Sequence, residues 1–205
     1  MIGVIDYGSG NVSALTNIFR QKNIEHILSG DPDELAKADR YILPGVGAFD
    51  PTMEKLGNSG ILNLLSDMVL GRGKPVLGIC VGMQLLAEGS EEGQLPGLGW
   101  IPGRVRKIDI GGLDHAPHLP HMGWNSVRLT DNATLFKGID VERGFYFLHS
   151  YYFSVAADAA VSAFVSYGTD LPCAVEHGKV FGAQFHPEKS HSNGTRLLLN
   201  FAELK

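Results

Sequence analysis

Short apolar runs alternate with helical segments through the first half of this chain, and that alternation limits the folds it can adopt. Apolar runs predict buried strands at 1–6, 24–29, 40–45 and 75–79. The helical segments between them are predicted at 10–22, 31–38 and 59–73. Buried strands joined through helices favour a parallel sheet covered on both faces. We therefore predict an α/β fold with a mostly parallel central sheet flanked by helices.

The second half of the chain has a different pattern. Beyond Gly89 the apolar runs predict antiparallel strands, at 103–110, 144–155 and 160–168. Residues 173–186 predict a hairpin that turns near Gly178, and 193–204 predict a closing helix. Because no repeat or linker interrupts the pattern, we expect a single domain over residues 1–205.

Composition excludes several classes of function. The net charge is -5 and no cluster of Lys and Arg stands out, which argues against nucleic acid or an anionic membrane as a partner. No apolar run approaches the roughly 18 residues of a membrane span, and the N-terminus has no basic leader. The chain has 2 cysteines and no disulfide framework, which is typical of a reducing compartment. We expect a soluble, cytoplasmic protein.

The segment GICVG, residues 78–82, places Cys80 between two glycines where a strand is predicted to become a helix. It fits the G-x-C-x-G form of the nucleophile elbow, a strained turn that lifts a side chain out of the sheet. A thiol at a helix N-terminus also lies at the positive end of the helix dipole, which favours the thiolate. The alternative is a buried packing cysteine, and the pentapeptide alone does not decide between the two. Cys173, which has no elbow, is interpreted as a packing residue.

The segment AQFHPEKS, residues 183–190, supplies a candidate base. His186 ends a strand-like run that Pro187 stops, so the imidazole should lie at the edge of the sheet. Glu188 could hold one ring nitrogen and leave the other facing a thiol, as in a catalytic triad. Taken alone, the tripeptide is more often an ordinary loop. Other histidines are expected to be solvated, namely His26, His115 and His177.

The segment ILPGVGAFD, residues 42–50, follows a predicted strand with a glycine-rich loop. Backbone N–H groups of Val46 and Gly47 are candidates for an oxyanion hole. The second donor would be the N–H of Val81, the residue after the candidate nucleophile. A simple turn after a strand is the commoner explanation of such a loop. Neither the dinucleotide-binding pattern nor the P-loop pattern of glycines is present.

These three motifs, in this order, resemble the class I, triad-type glutamine amidotransferase family over nearly the whole chain. The resemblance implies that family's fold and a cysteine that takes the γ-glutamyl group from glutamine and releases ammonia, with no cofactor and no metal. Cys80 then matches the nucleophile, His186 the general base and acid, and Glu188 the orienting carboxylate. Positions that match substrate-binding residues are Gly47, Gln84, Glu92, Ser150 and Tyr151.

Within that family, the segments DYGSGN (6–11), PHMGWN (120–125) and FYFLHSYY (145–152) resemble the glutaminase subunits of imidazole glycerol phosphate synthases. The resemblance implies a heterodimer with a separate cyclase subunit, a (β/α)8 barrel, which receives the ammonia. That pair would make imidazole glycerol phosphate and AICAR in histidine biosynthesis. Since a barrel needs about 250 residues, this chain cannot also contain one. Residues expected at the interface with the cyclase are Asn11, Trp124, Tyr146 and Lys189.

Two other functions fit parts of the sequence. A thiol-bearing α/β-hydrolase could use the same elbow, but there the acid precedes the histidine in the chain, whereas Glu188 follows His186. Such an enzyme would cleave small esters and ignore glutamine. A binding subunit that kept the fold and lost the chemistry is the second alternative. It is disfavoured because all three triad positions hold reactive residue types.

Overall fold

The computed structural model describes residues 1–111 and 118–204. His115 lies outside the described residues, whereas His26 is half-buried and His177 is exposed. The strands in chain order are β1 Ile2–Ile5, β2 His26–Ser29, β3 Arg40–Gly45, β4 Val76–Cys80, β5 Gly103–Lys107, β6 His121–Asn125, β7 Arg128–Leu129, β8 Phe145–His149, β9 Tyr151–Val155, β10 Val161–Tyr167, β11 Thr169–His177 and β12 Val180–Ala183. The α-helices are α1 Val12–Gln21, α2 Pro32–Leu35, α3 Phe49–Asn58, α4 Leu62–Ser66, α5 Val81–Gln84 and α6 His191–Ala202.

An 8-stranded sheet forms the centre of the molecule, in the order β2-β1-β3-β4-β12-β11-β10-β7. The five strands from β2 to β12 are mutually parallel, and the remaining pairs are antiparallel. Two 2-stranded antiparallel ribbons, β5-β9 and β6-β8, lie outside this sheet. The predicted fold class is confirmed, because the parallel strands come mainly from the first half and the antiparallel strands from the second.

Several elements differ from the sequence prediction. The predicted helix 59–73 is divided into α4 and a π-helical turn, Asp67–Gly71. The predicted strand 144–155 breaks at Ser150 because its two halves pair with different partners, β6 and β5. Helix α3 and strand β6 were missed by the sequence analysis. Proline and glycine within α3 obscure its pattern, although its buried residues, Phe49, Thr52 and Leu56, do follow helical spacing.

The parallel strands bring their carboxyl ends to one edge of the sheet, and side chains that follow them collect there. Strand β3 leads into the loop with Val46 and Gly47, β4 ends at Cys80, and β12 leads into the segment with His186. The three motifs are distant in sequence and adjacent in the fold because β3, β4 and β12 are neighbours. Among the described helices, none is long and apolar enough to cross a membrane.

Helix α5 lies unusually close to the sheet, and glycines make this approach possible. A Cβ atom on Gly82 would lie 1.9 Å from the Leu43 carbonyl oxygen of β3. A Cβ on Gly45 would lie 2.5 Å from the Gly82 nitrogen, and one on Gly78 would lie 2.5 Å from the Gly82 oxygen. None of these glycines has a positive φ, so what they supply is space.

Gly82→Ala should therefore destabilise the protein. The new methyl group meets a backbone oxygen that cannot rotate away, and overpacking of this kind typically costs about 1–3 kcal/mol. The free energy of unfolding in urea measures the effect. Gly57→Ala is the matched control, since no atom lies within 4 Å of its Cβ position in the exposed part of α3. That change should stabilise the helix by about 0.5–1 kcal/mol. Equal effects of the two substitutions would contradict the close-packing explanation.

Candidate functional site

Cys80 is the last residue of β4 and adopts φ 54° and ψ -114°, a conformation that residues other than glycine rarely adopt. The sequence predicts a strained turn here, with a glycine two residues to either side of the cysteine. In the structure the cysteine itself has the strained dihedral angles, and Gly78 and Gly82 allow the close packing that holds it there. The following helix, α5, has only 4 residues. The effect of a helix dipole on the thiol is therefore limited to the N–H groups of a single turn.

His186 and Glu188 form a buried pair beside this turn. Nδ1 of His186 lies 3.0 Å from Oε1 of Glu188, and their side chains are 6% and 2% exposed. Backbone contacts hold the segment: the His186 N–H donates to the Tyr146 carbonyl at 2.9 Å, and the Ser190 hydroxyl donates to the His186 carbonyl at 2.7 Å. Pro187 starts a 3-10 turn, Pro187–Lys189, which folds Glu188 back onto the imidazole.

The environment of His186 favours its protonated form. Burial alone would lower the pKa, but hydrogen bonds with Cys80 and Glu188 and the charges of both groups raise the pKa of His186 to about 10. Oε2 of Glu188 is buried and has no hydrogen-bond partner within the described residues, so its charge is not offset by another donor. Since Nδ1 faces Glu188, the contact with Cys80 is made by the other ring nitrogen. The three residues therefore have the arrangement of a thiol, an imidazole and an orienting carboxylate.

The predicted oxyanion donors differ in their availability. The Val46 N–H donates to Oγ of Ser9 at 3.1 Å, so this donor is occupied in the present conformation. Gly47 has φ 94°, and its N–H has no acceptor within the described residues. Val81 is the first residue of α5, where N–H groups have no partner inside the helix. Gly47 and Val81 thus offer donors directly, and Val46 offers one only when its bond to Ser9 is broken.

A cavity of about 380 Å³ opens at this edge of the sheet. The residues predicted to bind substrate all line it, together with Cys80 and His186. These lining residues are Gly47, Gln84, Glu92, Ser150 and Tyr151. Oε2 of Glu92 accepts the N–H of Phe49 at the start of α3 at 2.9 Å, which fixes this carboxylate at the wall. The volume is in the range of small-molecule sites.

Polar residues that the sequence analysis missed surround the same cavity. Gln184 is fully buried beside Cys80, and its position two residues before His186 on an extended segment could have predicted this, since such side chains share a face. His149 lines the cavity, and its Nδ1 lies 2.8 Å from the Tyr151 carbonyl oxygen. Nδ1 of His121 lies 3.0 Å from Nε2 of His149. No pattern in the sequence predicts this pair, because the two residues meet only through the pairing of β6 with β8.

Of the residues predicted at a partner interface, Lys189 lines the cavity and the others lie on neighbouring elements. Trp124 and Tyr146 are paired across β6 and β8, and Trp124 is 44% exposed and stacks on His191. Lys189 lines the cavity, and its Nζ lies 5.4 Å from the Tyr146 ring centroid. Asn11 is exposed at the start of α1, a helix that packs against the 3-10 turn of Lys189. Trp124 is therefore not a core residue.

The described residues contain no group of three or more His, Cys, Asp or Glu that could hold a metal ion. Cys80 and Cys173 are both free and buried. Burial raises the pKa of the Cys173 thiol, which keeps it protonated and unreactive. Cys173 is therefore a packing residue, as predicted.

Comparison with known proteins identifies relatives of full length. Residues 3–204 match the family described as glutamine amidotransferase class-I. The imidazole glycerol phosphate synthase subunit HisH of Bdellovibrio bacteriovorus is 48% identical over 205 residues, covering 100% of both chains. The HisH subunit of Leptospira borgpetersenii is 47% identical over 204 residues, again covering 100% of both chains.

Solved structures agree with these relatives at the level of the fold. A PurLQS structure from Thermotoga maritima has a TM-score of 0.71 at 18% identity, covering 98% of this chain and 96% of the other. A glutamine amidotransferase from Thermotoga maritima has a TM-score of 0.64 at 19% identity, covering 98% and 81%. The chain therefore belongs to the class I glutamine amidotransferase family, in the group of the imidazole glycerol phosphate synthase HisH subunits.

Proposed function

We propose that this chain is the glutaminase subunit of an imidazole glycerol phosphate synthase, which hydrolyses glutamine and passes the ammonia to a cyclase subunit. The observation that carries the proposal is the strained Cys80 turn facing a buried His186–Glu188 pair in a cavity. Relatives of full length bear the name of that synthase subunit. The free thiols are in keeping with a reducing, cytoplasmic location.

Acylation begins with attack of the Cys80 sulfur on the side-chain amide carbon of glutamine. A carbon–sulfur bond forms, and the carbonyl oxygen becomes an oxyanion that the N–H groups of Gly47 and Val81 stabilise. His186 gives its proton to the amide nitrogen as the carbon–nitrogen bond breaks, and the nitrogen leaves as ammonia. The product is a γ-glutamyl thioester. Glu188 keeps the imidazole in the orientation that this transfer requires, through the 3.0 Å contact with Nδ1.

Deacylation uses the same groups, and His186 now accepts a proton where it donated one before. The neutral His186 removes a proton from water, and the resulting oxygen attacks the thioester carbonyl. The carbon–sulfur bond breaks, glutamate leaves, and the thiolate–imidazolium pair is restored. Because His186 is a proton donor in the first half and an acceptor in the second, its raised pKa must be compatible with both steps. Close contact with the sulfur achieves this, since loss of the thiolate charge in the thioester removes one cause of the raised pKa.

Substrate selection follows from the wall of the cavity. Glu92 places a carboxylate where the α-amino group of glutamine can bind, and one of its oxygens is anchored by Phe49. The backbone of Ser150 and Tyr151 supplies polar groups for the rest of the substrate, at the break between β8 and β9. Gln84 also lines the cavity, and its Nε2 donates to the Tyr151 carbonyl. This set recognises a small zwitterion with an amide side chain and requires no cofactor.

The proposed partner is a (β/α)8 cyclase barrel that covers the mouth of the cavity. Large apolar side chains are exposed near the mouth, with Val46 at 44%, Met122 at 61% and Trp124 at 44%. Exposed apolar groups rimmed by polar ones are typical of protein interfaces. Together with Lys189, Tyr146 and Asn11 they would contact the barrel. Docking would exclude water and direct ammonia into the cyclase, where imidazole glycerol phosphate and AICAR are made.

Cys80→Ala should abolish glutamine-dependent synthesis and leave ammonia-dependent synthesis by the assembled enzyme near the wild-type rate. The nucleophile is lost, while the cyclase is untouched. Glutamate release and imidazole glycerol phosphate formation measure the two activities. Cys173→Ala is the matched control and should retain most of both, since this thiol is buried in β11 away from the cavity. Glutamate release by Cys80→Ala at close to the wild-type rate would refute the assignment.

His186→Ala should lower the glutaminase kcat by about 10²–10⁴-fold, because the proton is handled in both half-reactions. Glu188→Gln should cost less, since Glu188 orients the ring without taking the proton. Glu188 also helps to raise the pKa of His186 to about 10, so in Glu188→Gln the imidazolium should lose its proton at a lower pH. Steady-state kinetics and NMR titration of the imidazole test both points. A larger kcat loss in Glu188→Gln than in His186→Ala would reverse the assigned roles.

Lys189→Ala should reduce the stimulation of glutaminase activity by the nucleotide ligand of the cyclase. The Lys189 cation bridges the Tyr146 ring and the cavity mouth, where the partner is proposed to dock. A hundredfold stimulation corresponds to a coupling free energy of about 2.7 kcal/mol, and the variant should lose about 1 kcal/mol of it. Glutamate release with and without the ligand gives the ratio. Lys37→Ala, exposed near the opposite edge of the sheet, should leave the ratio unchanged. An unchanged ratio in Lys189→Ala would exclude a coupling role.

A further inference from the structure

Gln184 makes a contact with the reactive sulfur that the proposed mechanism does not use. Its side chain is fully buried, and its Nε2 lies 3.8 Å from Sγ of Cys80, within reach of an N–H···S hydrogen bond. The backbone of Gln184 is fixed as well, because its N–H donates to the Cys173 carbonyl at 2.9 Å. The carboxamide thus approaches the sulfur from a rigid part of the sheet.

The direction of this contact is set by a chain of hydrogen bonds. The carbonyl oxygen of Tyr151 can only accept, so the Gln84 amide must turn its Nε2 toward it, at 3.2 Å. The same Nε2 lies 3.0 Å from Gln184, and its second proton requires an acceptor there, which is Oε1. Gln184 must therefore present its own Nε2 to Cys80. An amide that could otherwise be turned by 180° has a single orientation here.

The Tyr151 carbonyl, where this series of hydrogen bonds starts, is itself held in place. Nδ1 of His149 donates to the Tyr151 carbonyl at 2.8 Å, and His121 supports His149 from its other side. Burial lowers the pKa of His149 to about 3 and that of His121 to about 4, so both rings are neutral at pH 7. Each ring then has one N–H, and the order of donors is fixed from His121 to the Tyr151 carbonyl.

Cys80 has few other donors. Helix α5 provides only a single turn of N–H groups, and the nearby hydroxyl of Tyr7 donates to the Pro44 carbonyl instead. His186 contacts the sulfur from one side. A second N–H from Gln184 would hold the sulfur toward His186 and stabilise its negative charge, because donors to an ionised acceptor favour the ionised form.

We propose that Gln184 is a positioning residue for the proposed glutaminase reaction, whose carboxamide N–H fixes the Cys80 sulfur and stabilises its thiolate. The proposal rests on the proposed function and extends it to a residue outside the triad. Gln84 and the Tyr151 carbonyl act through Gln184 by setting the orientation of its amide. The alternative is that this buried side chain has a purely structural role, and the experiment must distinguish the two roles.

The test is the pH profile of Cys80 alkylation by iodoacetamide in the isolated subunit. Gln184→Leu and Gln184→Met keep the size of the side chain and remove the donor, and a Cys173→Ala background leaves one thiol. The midpoint of the profile should rise by about one pH unit, so that alkylation below the midpoint slows about tenfold, while the rate at high pH is unchanged. The charged and titratable groups around the thiol are the same in all variants, namely Tyr7, Glu92, His149, Tyr151, His186 with its partner Glu188, and Lys189.

Steady-state kinetics add a second readout. The glutamine-dependent kcat of the assembled enzyme should fall about tenfold, with KM for glutamine within twofold and ammonia-dependent synthesis unchanged. Folded variants with a wild-type alkylation profile, or the loss of folding in both variants, would overturn the proposal in favour of a structural role. Failure of the proposed function is a different result. It would appear as glutamate release by Cys80→Ala, and the alkylation profile of the Gln184 variants does not affect it.

Discussion

The close contact between helix α5 and strand β3 is the constraint on which the rest of the site depends. The Gly82 backbone lies so near the Leu43 carbonyl that no side chain fits between them. This contact fixes the first turn of the helix directly over the sheet. The backbone must therefore turn sharply between the end of β4 and the start of α5. Cys80 is the residue at that turn, with its φ of 54°. The strain is maintained by packing on both sides of the turn, which is the condition under which such conformations persist.

Around this turn, the other parts of the site are positioned by a change of strand partner. After β12, the chain first bonds to β11 through Gln184 and then to β8 through His186. The two side chains thereby reach the same sulfur from different directions, one as an amide donor and one as an imidazole. Strand β8 also ends at His149, which lies in the cavity lining and contacts the Tyr151 carbonyl. The segment from β12 to His186 therefore links Cys80 to the strand that carries this part of the lining.

The buried His186–Glu188 pair lies close to two histidines that are neutral at pH 7, His149 and His121. Burial on its own lowers the pKa of all three buried histidines near the cavity, namely His186, His149 and His121, yet the pKa of His186 is raised. Only His186 has anionic partners, so only there is the cost of burying the cation offset. A positive charge on His149 would repel the His186 imidazolium, and its burial prevents this.

The sequence by itself determined the fold class, the three motifs and the position of the candidate nucleophile, because these depend on local patterns. Apolar runs define parallel strands, glycine spacing marks the elbow, and the carboxyl ends of neighbouring strands must share an edge. Only the tertiary structure decided that Val46 donates to Ser9, that α5 is a single turn, and that Gln184 faces the sulfur. The physical reason is that a hydrogen bond between distant segments depends on strand register and on which donors remain unpaired. Neither quantity is encoded in the spacing of residues along the chain.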